Sequence, residues 1–167
     1  SEDALNLIKS KFTINECYFD KIISDAIDID FSNGKITNSY FSNINGDGID
    51  TSGSEIEIFD IKFNNIGDKA LSIGEKSFIN AYNITINNAK IGIASKDGSK
   101  FYGKKIHITN SKLLNLAAYN KKSIYNGANI ELEETSLKNK ILSQFGSQIS
   151  INNKIITNEK VAMKELY

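Results

Sequence analysis

Arginine, tryptophan and proline are absent from this 167-residue chain, and cysteine and methionine occur once each. With no arginine, all 20 basic residues are lysines. They balance 20 acidic residues to a formal net charge of +0, so there is no single-sign field to hold nucleic acid or an anionic membrane surface. Cys17 has no partner for an intrachain disulfide, which leaves the redox compartment open. No apolar run approaches the length of a membrane span, and no signal-peptide pattern is present. The chain opens on Ser1 rather than methionine and in mid-repeat, so it is expected to be an excised or processed segment of something longer. What the chain does have is isoleucine (28) and asparagine (21), a bias that an AT-rich genome also produces.

Those residues are ordered. Asn43-Ile44-Asn45-Gly46-Asp47-Gly48-Ile49-Asp50-Thr51-Ser52-Gly53-Ser54 has edited copies at Ser24–Ser32, Glu2–Ser10, Gly67–Ser77 and Ile91–Ser99. A serine column runs through Ser10, Ser32, Ser54, Ser77 and Ser99, with steps of 22, 22, 23 and 22 residues. A period of that size marks a solenoid, in which each turn buries its apolar face only against its neighbours. Nine residues after each serine stands a large apolar anchor: Phe19, Phe41, Phe63, Ile86, Ile108. Two residues further come Lys21, Asn43, Asn65, Asn88 and Asn110, and the column continues through Asn139 and Asn158. Because each amide can donate to and accept from its copy in the next turn, these asparagines are expected to form a buried, self-satisfied ladder that serves as scaffold.

Within a turn, apolar residues alternate (Ile27/Ile29, Ile56/Ile58, Ile61/Phe63), the period of a strand with one face buried. Nowhere before residue 158 does a helical spacing persist. The chain is therefore expected to be all-β, a right-handed parallel β-helix of about six to seven turns with three short strands each, spanning residues 1–158. The segment 120–127 lengthens one turn to 29 residues and should bulge as a surface loop, and the turn after it, of 19 residues, tapers. Residues 159–167 lose the register and are good helix formers, so they are expected to cap the C-terminal end. The first turn, by contrast, is an open edge that another domain or chain is expected to cover.

The stacked Ile/Phe positions, the Asn column and the turn Gly46-Asp47-Gly48-Ile49-Asp50 resemble the pectate-lyase-like superfamily of right-handed parallel β-helices. That superfamily includes pectate lyases, polygalacturonases, chondroitinase-type lyases, alginate epimerases and NosD-type periplasmic proteins. More narrowly, Ser24–Gly34 and Gly67–Ser77 resemble β-helix segments of bacterial exported proteins, some of them fused to CotH-like kinase domains. The resemblance implies an extracellular, cell-surface or periplasmic location. It does not carry an activity, since the fold hosts many. The paired acids, Gly-His and Arg-Ile-Lys of polygalacturonases are missing, as are the Asp-Pro-His of the epimerases and the arginine base of pectate lyases.

The acidic residues form the candidate site. With Ile27 and Ile29 inward, the alternation points Ala26, Asp28 and Asp30 outward. The same outward columns continue as Gly48/Asp50/Ser52, Ala70/Ser72/Gly74 and Gly92/Ala94/Lys96. This predicts a trough floored by Ala and Gly, acidic at one end and basic at the other. Asp28 should stack over Asp50 at about 4.8 Å, where two carboxylates repel unless they splay, share a proton or hold a cation. Asp28 and Asp50 are thus the candidate calcium ligands. Asp28, Asp30, Asp50, Ser52, Ser72 and Lys96 are the candidate binding surface, to which Tyr18 and Tyr40 add a stacked aromatic pair able to seat a sugar ring. Two functions follow. One is a non-catalytic module serving structure or the recognition of a polysaccharide or a partner chain. The other is a polyuronate lyase or epimerase that uses Asp25, Asp28, Asp47 and Asp50 around a divalent cation, with Lys69 or Lys96 as base. His107 reads as an exposed bystander and Cys17 as a small core residue.

Overall fold

The computed structural model describes residues 3–144, 146–156 and 166. They form a β-solenoid of about seven turns with no α-helix. The first turn is β1 (Leu5–Ile8), β2 (Lys11–Asn15) and β3 (Tyr18–Ile22), and the second is β4 (Ile27–Asp30), β5 (Asn33–Thr37) and β6 (Tyr40–Ile44). After β7 (Ile49–Ser52) the corners tighten, and β8 (Glu55–Gly74), β9 (Phe78–Lys96) and β10 (Lys100–Thr109) each run through more than one face. The remainder is β11 (Leu114–Tyr119), β12 (Asn129–Glu133), β13 (Ile141–Ser143), β14 (Gln148–Ile151) and β15 (Lys154–Ile155). Pairing is parallel except for the closing β14–β15 hairpin.

Three faces result. Face one stacks β1, β4, β7, the ends of β8 and β9, β11 and β13. Face two stacks β2, β5, the starts of β8, β9 and β10, then β12 and β14. The third stacks β3, β6, the middles of β8 and β9, and the end of β10. Inside, the anchor column is a column of rings. Phe19, Phe41 and Phe63 stack with centroids 4.9 and 4.8 Å apart, the strand spacing expressed by aromatic side chains. Segment 120–127 is the surface loop the spacing predicts, with Ile124 82% exposed.

The asparagine column is present, but it is not buried. Asn43, Asn65, Asn110 and Asn139 are exposed and Asn88 is half-buried, while Asn158 lies outside the described residues. The amides do stack, Asn65 Nδ2 donating to Asn43 Oδ1 (3.1 Å) and Asn88 Nδ2 to Asn65 Oδ1 (2.8 Å). Asn110 departs from the pattern and donates to Asn87 Oδ1 at 2.8 Å. What the column shares is its backbone. Lys21, Asn43, Asn65, Asn88 and Asn110 have φ of 56°, 53°, 58°, 58° and 56°. A single left-handed residue turns the chain through each corner, and asparagine tolerates that conformation better than most side chains. We therefore expect Asn65→Ala to cost about 1–2 kcal/mol and Asn65→Gly distinctly less, measured as urea midpoints. Equal losses would assign the effect to the amide ladder instead.

The buried ladder is made by the serines. Ser10, Ser32, Ser54 and Ser77 each donate their backbone N–H to the Oγ of the next serine in the column, at 2.9, 3.0, 3.1 and 3.2 Å. Ser32, Ser54, Ser77 and Ser99 are at most 3% exposed. The hydroxyls of Ser10, Ser32 and Ser54 in turn donate to a carbonyl two residues back. This satisfies a corner N–H that the strand ladder leaves without a partner. Ser39 does the same for Cys17, whose own side chain packs partly against the core.

Candidate functional site

The alternation along β4 holds. Ile27 and Ile29 are fully buried in the core, and Asp28 and Asp30 face outward, with Asp28 paired in register to Asp50 and Asp30 to Ser52. The floor expected for the trough is not the one found. Ala26, Gly48, Ala70 and Gly92 sit at the corner and face inward. A side-chain carbon on Gly48 would meet the Phe63 ring at 2.7 Å, and one on Gly92 would meet Ile108 at 3.0 Å, so the corner has room only for small residues. Strict alternation fails there because the bend rotates the chain between columns. The outward columns are Asp28/Asp50/Ser72/Ala94/Ala117/Leu142 and Asp30/Ser52/Gly74, followed by Lys96.

Beside them at the corner runs an acidic ladder that caps backbone N–H groups. Asp25 N–H donates to Asp3 Oδ1 (3.3 Å), Asp47 N–H to Asp25 Oδ1 (2.6 Å) and Lys69 N–H to Asp47 Oδ1 (2.8 Å). These aspartates are corner acceptors, as the serines are at the next corner. One oxygen from each of Asp25, Asp47 and Asp50 lies within 4.8 Å of the other two. Asp28, one of the two expected calcium ligands, is outside this group and accepts from Asn6 Nδ2 at 3.0 Å.

The Lys69 ammonium lies beside the group, 3.7 Å from Asp47 and 2.6 Å from Asp68. Its side chain is only 9% exposed and that of Asp47 11%. Burial works to lower the Lys69 pKa, but Asp47, Asp68 and Asp50 together outweigh it and leave the value raised. Lys69 is therefore held as a paired ammonium. Burial pushes the Asp47 carboxyl up to about 6 against the opposing pull of Lys69. Burial, then Asp30 and Asp50, push Asp28 to about 6 as well, and Asp25 and Asp30 are raised chiefly by burial. Lys96 lies across the middle of the face, 2.7 Å from Ser72 Oγ and 3.8 Å from Asp50, with its stem over Gly74.

A calcium ion fits this donor set poorly. Two of the three carboxylates already accept backbone N–H groups, and a buried ammonium lies 3.7 Å from one of them, Asp47. Tyr18 and Tyr40 do stack, with centroids 5.1 Å apart and planes 12° from parallel, but on the third face, away from the acids. His107 is exposed there, paired to Thr85.

The raised carboxyls have a sign. Each binds its proton more tightly folded than unfolded, where the ordinary value is 3.8. They favour folding most below about pH 4, and that contribution is lost as pH rises through about 6. We expect a higher Tm at pH 5 than at pH 7.5 in scanning calorimetry at constant ionic strength, with the difference reduced in Asp47→Asn. A Tm that rises with pH over this range contradicts the assignment.

Comparison of the chain with protein-family models, curated proteins and solved structures finds no match. The parallel β-solenoid thus stands on the structure itself. No helix among the described residues is long and apolar enough to cross a membrane.

Proposed function

We propose that this chain is a non-catalytic β-solenoid module of a larger exported bacterial protein, one that recognises a polysaccharide through the acidic half of face one. The observation that carries the reading is the commitment of the acids. Asp25 and Asp47 are used as backbone acceptors, and Lys69 is a buried, paired ammonium, so three of the groups that proton abstraction would draw on are occupied by the fold. The three grouped carboxylates would repel a polyuronate. A neutral or amine-bearing glycan, offering donors to Asp28, Asp30, Asp50 and Ser52, fits the face better. The second reading, a calcium-dependent polyuronate lyase or epimerase, draws on the same 4.8 Å grouping of Asp25, Asp47 and Asp50.

Affinity electrophoresis in gels containing neutral, amine-bearing and uronate polysaccharides separates the two. Retardation by one of the first two, lost in Asp28→Ala/Asp50→Ala, is the expected result. Saturating calcium should leave Tm unchanged. A calcium-induced rise in Tm that Asp50→Asn removes, together with turnover of a polyuronate, would overturn the proposal.

The first turn supports a partner role. Leu5, Leu7, Phe12, Phe19 and Ile22 are only partly buried there, and Ile8 and Ile23 are 57% and 83% exposed. We propose that another domain or chain covers this edge. Light scattering should then show concentration-dependent association of the isolated chain, and a strict monomer at all concentrations argues against it.

A further inference from the structure

The upper half of face one poses a question of its own. Ala94 and Ala117 point outward, away from the core, yet both are 0% exposed. They belong to a second apolar cluster, separate from the solenoid interior, with Ile91, Leu114, Leu142 and Leu166. Leu166 comes from the far end of the chain and is itself 1% exposed. The face is therefore a seat, and its occupant is visible. Ala94 and Ala117, register neighbours in successive turns, present only methyl groups there, among Ile91, Leu114, Tyr119 and Leu142. Toward the first turn, Lys96 and Ser72 bring the surface back to polar, so the apolar patch ends there.

We propose that this half of face one is a leucine-accepting peptide slot, occupied by the chain's own C-terminal segment through Leu166, and that a peptide of the same sequence binds there in trans once the resident side chain is removed. The inference does not depend on the glycan reading. It confines any ligand of the acidic half to the surface left of Lys96 toward the first turn.

The test uses the full chain, wild type and Leu166→Ala, and a labelled peptide with the sequence of residues 157–167. The tethered leucine competes at an effective concentration of about millimolar, so the wild-type chain should take up the peptide at least about tenfold more weakly than Leu166→Ala. Fluorescence anisotropy reads the difference. The same peptide carrying Leu166→Asp should not bind, and Ala117→Phe, placed in the Leu166→Ala chain to fill the space that Leu166 vacates, should abolish binding. Equal affinity for both chains, or undiminished binding of the Asp peptide, overturns the slot. If Leu166→Ala loses its far-UV circular dichroism, Leu166→Thr, whose hydroxyl the apolar patch does not satisfy, takes its place and the same outcomes apply.

Discussion

Phe41→Ala should destabilise the chain by about 4 kcal/mol, the largest loss expected from any single truncation here. Phe41 is the middle ring of three, fully buried between Phe19 and Phe63 at 4.9 and 4.8 Å. Removing it takes away a large apolar surface and leaves a hole that the turns above and below cannot close, because each is held at the strand spacing by its own backbone ladder. Phe19 belongs to the same stack but to the first described turn, where it is only half-buried. Phe19→Ala should therefore cost clearly less. Urea denaturation of both variants gives the comparison. Equal losses would mean that the first turn is as well packed as the second.

Lys69→Met is the second large effect, about 3 kcal/mol at pH 8. The substitution keeps most of the stem and removes the ammonium that lies 3.7 Å from Asp47 and 2.6 Å from Asp68. Asp47 is then a buried carboxylate facing Asp25 and Asp50 without its own ammonium partner, since Lys96 lies beside Asp50. It escapes by taking a proton. The Asp47 pKa is already about 6 with Lys69 in place and moves higher without it, so the cost of the substitution should shrink at pH 5. Chemical denaturation at the two pH values checks this. A loss that is the same at both would show that the lysine contributes packing rather than charge.

Both effects arise in positions that the repeat makes visible, yet the sequence speaks to them unequally. The period of 22 residues, the alternation of Ile27/Ile29 and Ile61/Phe63, and the Phe19/Phe41/Phe63 column are legible because strand burial alternates and neighbouring turns repeat it. The asparagine column is legible as a column, but its reason is not. An amide placed every turn satisfies a buried ladder and a left-handed corner equally well, and only the φ values near +55° and the exposure of Asn43 and Asn65 separate the two. The serines carried the better signal. Five in a row stand at one position without a substitute, which is what a buried acceptor of backbone N–H groups requires.

At the acidic face the split is sharper. That Asp28 stacks on Asp50 follows from the period alone, and the register places it so. That Asp25 and Asp47, rather than Asp28, gather around Asp50 does not follow, because alternation describes straight strands and these two sit at a corner where the chain rotates. Gly48 reads as outward by counting and is inward by geometry for the same reason. Nor does any local pattern reveal Lys69 as a buried cation or Leu166 as the cover of Ala94 and Ala117. The sequence by itself determined the solenoid, its period and the strand residues that line its core away from the corners, since those depend on contacts repeated from one turn to the next. The tertiary structure alone decided which charges meet and what covers the outer face, since those contacts occur once, at corners and between distant segments, and no period records them.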